Sequence, residues 1–488
     1  MHKVIFIRPL GDLNEANFSL TNIPEPLSLE YFQAILEQID IESSIYYGKI
    51  DEDKLFQELL SDSIIAIGFS VYTYQYKYSL ELSKRVKSFY KEQNQKTPVI
   101  IFGGYHPSAL PEIVIKEKAI DIVVKGEGEF VLPEIMKCLI QNECLSKVNG
   151  IWYKDNSGTV IKTNNRERNT DLDNIPLPKR DMKFLSSSNQ YQIIYPPISQ
   201  QKSVAQVMYS RGCSFSCVYC TATNIWGKKM DWRNPKKVLD EIECLYNEYG
   251  TNLILFPDLT FNFDKKKVLD ICNEFTKKDL PVNWSAFFRL DRLDDEILYA
   301  IKEAKCVKMH IGIETDSINA DNLKGDYTIS NEECHKILNK ANEIGLLTRG
   351  FFIIGFPTDT TEKIKNYNNF LRYVHIDEII VSFITPFPGT KIWSEYSQYY
   401  LPKNYDFNEF TVNIPVINHP TLSKQELLDL KMEVVRNFYS DRVYQERISK
   451  KIDRFPHLKN SYLEYFAFLE NCGVFEKSQL TNIFKVAL

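Results

Sequence analysis

The sequence predicts an α/β protein in three parts: an N-terminal doubly wound, Rossmann-like domain, a central partial (β/α)6 barrel, and a mainly helical C-terminal region. Three observations predict this. Short continuous β-branched runs alternate with amphipathic stretches over the first ~140 residues, as strands buried on both faces and their crossover helices do. A segment rich in Pro and Asp interrupts the alternation, which restarts near residue 203. Beyond about residue 400 the strand-like runs give way to helical ones.

Taken in order, "KVIFI" is the first strand and is followed by a long polar loop. "LSLEYFQAILEQI", "KLFQELL" and "KYSLELSKRVKSFY" read as helices between the strands "SSIYY", "IIAIGFS", "PVIIFGG" and "IDIVVKG". "KVNGIWYKDNSGTVIKTN" reads as a β-hairpin turning at "DNSG", and "DLDNIPLPKRD" as an interdomain linker. The restarted alternation offers "AQVMYS", "NLILFPD", "VNWSAFF", "KMHIGIET", "RGFFIIGFP" and "EIIVSFITP" as strands, with "PKKVLDEIECLYNEYG" and "NEECHKILNKANEIG" among the helices. Six βα units imply a parallel sheet curved into a partial barrel, with its sites at the C-terminal strand ends. "SKQELLDLKMEVVRNFYSDRVYQ" is an amphipathic helix with Ser as its N-cap, suited to a cap that closes the barrel or to a lid that selects substrate. The expected divisions are 1–145, 146–202 for the hairpin and linker, 203–398, and 399–488.

A chain of 488 residues exceeds one core, in keeping with several domains. A net charge of -5 gives no reason to expect a nucleic-acid partner. No uncharged apolar run reaches the length of a membrane span, and the N-terminus lacks a signal-peptide pattern, so a cytoplasmic location is expected. The ten cysteines then read as thiols or metal ligands rather than a disulfide framework. The 28 Tyr and 30 Phe suit either a large core or a pocket for a large ligand.

Three of those cysteines crowd into "CSFSCVYC": Cys213, Cys217 and Cys220, just after the first strand of the second domain. Soft thiolates suit an iron–sulfur cluster or zinc. A structural zinc site takes four protein ligands, commonly as two separated pairs, and no fourth cysteine or histidine lies nearby. A cubane cluster on three cysteines would leave one iron free for a substrate or cofactor. Gly212, with the small Ser214 and Ser216, suits a loop that wraps around such a cluster. The other reading is three buried thiols in a turn. The seven remaining cysteines are spread through predicted helices and one strand and read mostly as core thiols.

The spacing C-x-x-x-C-x-x-C, with Tyr219 before the last cysteine, resembles the signature of the radical S-adenosylmethionine (SAM) family, over roughly residues 203 to 395. The resemblance implies a [4Fe–4S] cluster on Cys213, Cys217 and Cys220, with the amino and carboxylate groups of SAM on the fourth iron. It also implies a SAM site at the strand ends: Asp258 in "LFPDLTF", Arg289 in "FFRLDRLD" pairing the carboxylate, Glu314 in "IGIET" accepting from the amino group, and Tyr219. Many relatives carry two acids where this chain has Pro257 and Asp258. Asp291 reads either as part of that site or as a helix cap. "GFFIIGFP" and "TPFPGT" resemble the turns that pack adenine in relatives.

In the first domain, "GFSVYTYQY", "IIFGGYHPSALPE" and "VVKGEGEFVLPE" each end a predicted parallel strand on one edge. Upstream of such a core they resemble the cobalamin-binding domain of cobalamin-dependent radical SAM enzymes, over about residues 1 to 140. The resemblance implies a cobalamin site at Ser70, Tyr72, Thr73, Tyr74, Gly103, Gly104, Tyr105, His106, Gly126 and Glu127. The D-x-H-x-x-G motif of other cobalamin proteins is absent: "RPLGDLNEANFSLTNIPEP" holds no histidine. The nucleotide tail is then expected to be displaced from cobalt with no histidine in its place; Tyr72 and Tyr74 read either as cover for the lower face or as packing between the domains. For His106 a hydrogen-bonding role is expected rather than ligation.

The implied activity is methyl transfer to an unactivated carbon of a small molecule, lipid or peptide, with one SAM supplying the methyl group to the corrinoid and a second supplying the radical. The implied partners are that substrate and a one-electron donor such as flavodoxin or ferredoxin. Relatives that form or contract rings without methyl transfer share the architecture and make the alternative. A non-catalytic cobalamin or redox sensor would not need the cluster motif, and a methylthiotransferase would bring a second cysteine triplet.

Overall fold

The computed structural model describes residues 2–10, 25–61, 63–185, 193–314 and 329–474, with Glu314 described by its backbone alone. The first domain is a sheet of β1 (His2–Pro9), β2 (Ile41–Gly48), β3 (Ile64–Ser70), β4 (Val99–Gly103) and β5 (Ile122–Val124), parallel and ordered 2-1-3-4-5. Alternation along β1 shows why it is doubly wound. Ile5 and Ile7 face one core with Leu82 and Val86, while Val4 and Phe6 face the other with Leu29, Leu36 and Leu132. A strand buried on both faces needs apolar residues at every position, and that is what a parallel sheet selects. The order reverses between β1 and β3, so the ends of those two strands flank a crevice where ligands bind in such folds.

One boundary differs from expectation. The hairpin, β6 (Ile151–Lys154) and β7 (Val160–Lys162), is not part of the linker. β6 pairs antiparallel with β5 and extends the first sheet to seven strands. It satisfies the backbone groups that β5 would otherwise leave open at the edge.

The second domain is built on six parallel strands in sequential order: β8 (Val204–Gln206), β11 (Leu253–Phe256), β12 (Asn283–Phe288), β13 (Cys306–Glu314), β14 (Leu347–Ile354) and β15 (Glu378–Phe383). The expected continuous strand over 205–210 is broken. After β8 the chain turns, and β9 (Ser210–Arg211) pairs with β10 (Asp231–Trp232) in a separate antiparallel ribbon. That ribbon closes the base of the cysteine loop.

The C-terminal helices Lys424–Ser440, Arg442–Arg454 and Lys459–Asn471 brace the opposite end of the barrel. Lys451 donates to Leu346 O and to both oxygens of Asp377, just before β14 and β15 begin. Tyr462 donates to the same carboxylate and Tyr444 to the Asp377 carbonyl. The cap over the cluster end is instead the segment carrying Leu401, Phe410, Val416 and Ile417, which packs with Phe356, Ile384, Ile392, Val218 and Tyr219.

Candidate active site between the two domains

The cysteine loop is shaped by its backbone. Gly212 has φ +98°, and a Cβ there would lie 1.9 Å from the Lys229 carbonyl oxygen, so glycine is required. Cys213 N donates to Gly227 O at 3.3 Å and Ser214 Oγ to Lys228 O at 2.7 Å, folding the loop back on itself. Cys220 N donates to Cys217 O at 3.2 Å, Ala222 N approaches Cys220 Sγ at 3.5 Å, and Ile392 N donates to Val218 O at 3.1 Å. The three thiols are half-buried. Among the described residues no three His, Cys, Asp or Glu side chains converge closely enough to hold a single metal ion. Three half-buried thiols on one wrapped loop suit the corners of an iron–sulfur cluster.

A cavity of about 320 Å³ opens between this loop and the ligand edge of the first domain. Ser70, Tyr72, Gly103, Gly104, Tyr105, Gly126 and Glu127 line it from one side, and Met208, Ser210–Gly212, Ile225, Trp226 and Pro257 from the other. The glycines are there for close approach. A Cβ at Gly104, φ +100°, would meet the Val71 backbone at 2.8 Å, and one at Gly128 would meet the Phe32 ring at 2.7 Å. A flat edge without side chains is what a large planar ligand needs.

Three of the expected cobalamin residues stand outside the lining. Thr73 is buried, and Tyr74 stacks behind Tyr72 with ring centroids 6.1 Å apart. His106 points away from the cavity, between Tyr76 at 4.3 Å and Phe407 at 4.8 Å. Its Nδ1 lies 3.4 Å from Thr73 Oγ1, and burial pushes its pKa down to about 3, so it is neutral. Sequence order places these residues at the right turn, while the direction each side chain takes there depends on packing.

The expected SAM residues are also redistributed. Asp258 is 2% exposed and accepts from Tyr209 N at 3.2 Å and from Ser210 N and Oγ at 2.5 Å each. It therefore bends the chain into the cysteine loop rather than facing a ligand. Burial, opposed by these hydrogen bonds, pushes its carboxyl up to about 6. Arg289 turns its fork onto Asp291, at 2.9 and 2.7 Å, above the Phe215 ring. Asp294, not Asp291, caps the helix that follows, so of the two readings of Asp291 the cap is not the one seen. The Glu314 side chain lies outside the described residues, as do positions 11–24 of the histidine-free loop. Tyr219 packs with the cap segment beside the cysteines.

Several site residues are not evident from sequence. Arg211, next to the cysteine loop, donates to Glu127 at 2.9 Å and to Glu129 at 2.6 Å, and its guanidinium lies 4.8 Å from the Trp226 ring. Arg180, in the linker, binds Glu25, Glu241 and the Gln206 carbonyl at 2.6 to 2.8 Å. These pairs fasten the two domains around the cavity. Trp226 Nε1 donates to Tyr105 OH at 3.1 Å, joining the loop to the glycine edge. Two acids beside a strand-end glycine ("GEGE") and an arginine two residues before the first cysteine were the available signals. Nothing local joins them across more than eighty residues.

Residues 207–371 match the radical SAM superfamily and residues 16–136 the B12-binding domain. An uncharacterized methyltransferase of Pyrococcus horikoshii is 30% identical over 341 residues, 70% of this chain and 72% of that one. The chain belongs to the radical SAM superfamily, in the group that carries an N-terminal B12-binding domain. An anaerobic magnesium-protoporphyrin IX monomethyl ester cyclase of Rubrivivax gelatinosus is 27% identical over 369 residues, 74% of this chain and 64% of the cyclase. In fold, the chain matches the cobalamin-dependent S-adenosylmethionine radical enzyme OxsB, solved with aqua-cobalamin and S-adenosylmethionine bound: TM-score 0.69 at 17% identity, covering 99% of this chain and 75% of that one. The residues present fit these groups. The three thiols suit the cluster, and the side-chain-free edge of Gly103, Gly104 and Gly126 suits the corrin of this radical SAM protein.

Proposed function

We propose that this enzyme transfers a methyl group from SAM, by way of cobalamin, to an unactivated carbon of a small molecule, lipid or peptide. The observation that carries the reading is the single cavity lined both by the glycine edge of the B12-binding domain and by the residues that open the cysteine loop. A corrin on one wall and a radical source on the other then address the same substrate atom. When bound, the cluster supplies the electron that cleaves SAM, and the corrinoid carries the methyl group. The chain's own part is positional. Asp258 and Gly212 set the cysteine loop, and Arg211 and Arg180 hold the two walls together. The apolar lining from Leu27, Phe6, Ile101 and Trp226 excludes water from the space between the two walls, which confines side reactions of the bound intermediates.

A methyltransferase among the relatives supports this reading. Among the described residues no helix is long and apolar enough to cross a membrane, and we place the enzyme in the cytoplasm with a flavodoxin- or ferredoxin-like donor. The similarity to a cyclase supports a second reading, ring formation without methyl transfer. SAM carrying a deuterated methyl group separates them once a substrate is found. Methyl transfer yields labelled product with both S-adenosylhomocysteine and 5′-deoxyadenosine. Unlabelled product with 5′-deoxyadenosine alone establishes the cyclase-like reading.

A further inference from the structure

Arg8 is the penultimate residue of β1, beside β3 at the point where the strand order of the first sheet reverses. It lines the interdomain cavity. Its guanidinium lies between two tyrosine rings, 4.6 Å from the centroid of Tyr72 and 5.6 Å from that of Tyr47. Tyr72 is itself stacked on Tyr105 at 5.1 Å, so the cation is held in place by a short column of rings. Its Nε is buried without a hydrogen-bond partner, and among the described residues no carboxylate pairs with it.

The charges around the same cavity are otherwise matched. Glu25 is bound by Arg180 at 2.6 Å. Glu127 and Glu129 are bound by Arg211, and Arg168 lies 3.8 Å from Glu127. Arg8 alone among these described cavity charges faces the space uncommitted. Leaving a desolvated cation without an anion is costly, and ring faces return only about 0.5–2 kcal/mol. A planar fork in this state is suited to a phosphate, which it can grip through two parallel hydrogen bonds.

We propose that Arg8 binds the phosphodiester of cobalamin's nucleotide tail. This rests on the cobalamin reading of the cavity. The corrin periphery offers neutral amides, and the phosphodiester is the anion in the tail. The expected displacement of that tail from cobalt, with no histidine in its place, would leave it needing a berth on the protein. The switch-point crevice beneath the glycine edge, with Arg8 at its mouth and Ser70 beside it, provides one.

The test compares three corrinoids on the full-length protein by absorbance titration under anaerobic conditions: cobalamin, cobinamide phosphate (phosphate but no base) and cobinamide (neither). Arg8→Gln keeps most of the side-chain volume and removes the charge. It is expected to weaken cobalamin and cobinamide phosphate by about 30-fold, the size of a lost charge-assisted pair, and to leave cobinamide within about 2-fold. Arg8→Lys is expected to fall between, since it keeps the charge and loses the fork. In the wild type, the preference for cobinamide phosphate over cobinamide should shrink as salt rises. Equal losses for all three would assign Arg8 to the corrin amides and overturn the proposal, and a loss confined to cobalamin would assign it to the base. If Arg8→Gln does not fold, a wild-type preference that does not respond to salt overturns it. Wild-type protein that binds none of the three overturns the cobalamin reading itself, a separate result.

Discussion

The two ends of the barrel differ in what their polar groups leave open. At the N-terminal ends of β14 and β15, every buried carboxylate is matched. Asp377 takes hydrogen bonds from Lys451, Tyr462 and Thr348. Glu378, fully buried, is held by Lys308, by Arg349 and by Ile193 N at 2.8 Å. At the other end the loop thiols are half-buried, and across the cavity, in the first domain, glycines replace side chains and Arg8 has no carboxylate partner among the described residues. Saturated polar groups fix a structure, while polar groups left open in a shaped cavity wait for a ligand. His310 marks the border. It is buried between Phe287 and Phe351 with neither ring nitrogen hydrogen-bonded, one layer above the matched ions, and burial holds its pKa well below the ordinary value.

Breaking the open end should abolish chemistry and spare the fold. Replacing Cys213, Cys217 and Cys220 together by alanine is expected to remove essentially all of the about four irons of a reconstituted cluster and all reductive cleavage of SAM. The thermal midpoint of the cluster-free protein should stay within a few degrees. Iron analysis, visible absorption and calorimetry check this. Retained iron would refute the ligand assignment.

Breaking the saturated end should do the reverse. Lys451→Met strands the Asp377 carboxylate, 3% exposed, beside the Tyr462 hydroxyl. The expected loss is about 3–5 kcal/mol in denaturant unfolding, the size seen when one partner of a buried pair is removed. Iron bound per folded chain should not change. Gly212→Ala tests the open end more gently. It forces a side chain into φ +98°, a strain of order 1–3 kcal/mol by itself, and the overlap with the Lys229 carbonyl oxygen must also be relieved by moving the loop. Cluster content after reconstitution should drop several-fold with all three cysteines present.

A pH-dependent effect concerns the domain junction. Glu30 is fully buried, near Glu25 and 3.5 Å from Arg180. Burial first, and the Glu25 charge second, push its carboxyl from an ordinary 4.5 up to about 9. The folded protein therefore keeps a proton that the unfolded chain gives up above pH 4.5. This group's contribution to stability is complete below pH 4.5 and is lost as pH rises through 9. Unfolding free energy should fall across that window by up to about 1.4 kcal/mol per pH unit from this one group. Glu30→Gln should flatten the slope and be the more stable form at pH 8. An unchanged slope would show that the carboxyl is ionised in the fold.

Much of this architecture can be read from the chain because parallel sheets leave a strong local mark. β1 needs Val4 to Ile7 all apolar, and "KVIFI" says so. The cysteine loop is legible because its spacing and Gly212 are local. What the sequence conceals is orientation and distance. Asp258 sits at a strand end as expected, yet its carboxylate turns back to Ser210, and His106 turns to Phe407, three hundred residues on. The same holds for Arg211 with Glu129, and for the hairpin that joins the first sheet. Such pairings are decided by how the two domains pack, and they are the features that make one cavity out of two.

Hydrogen exchange on full-length protein with and without cobalamin shows whether the two walls form one shared cavity. Slower exchange is expected in both walls on adding this one ligand: residues 68–72, 103–106 and 126–129 of the first domain, and residues 208–212 and 225–227 at the cysteine loop. Protection confined to the first domain, with the cysteine loop unchanged, would contradict it.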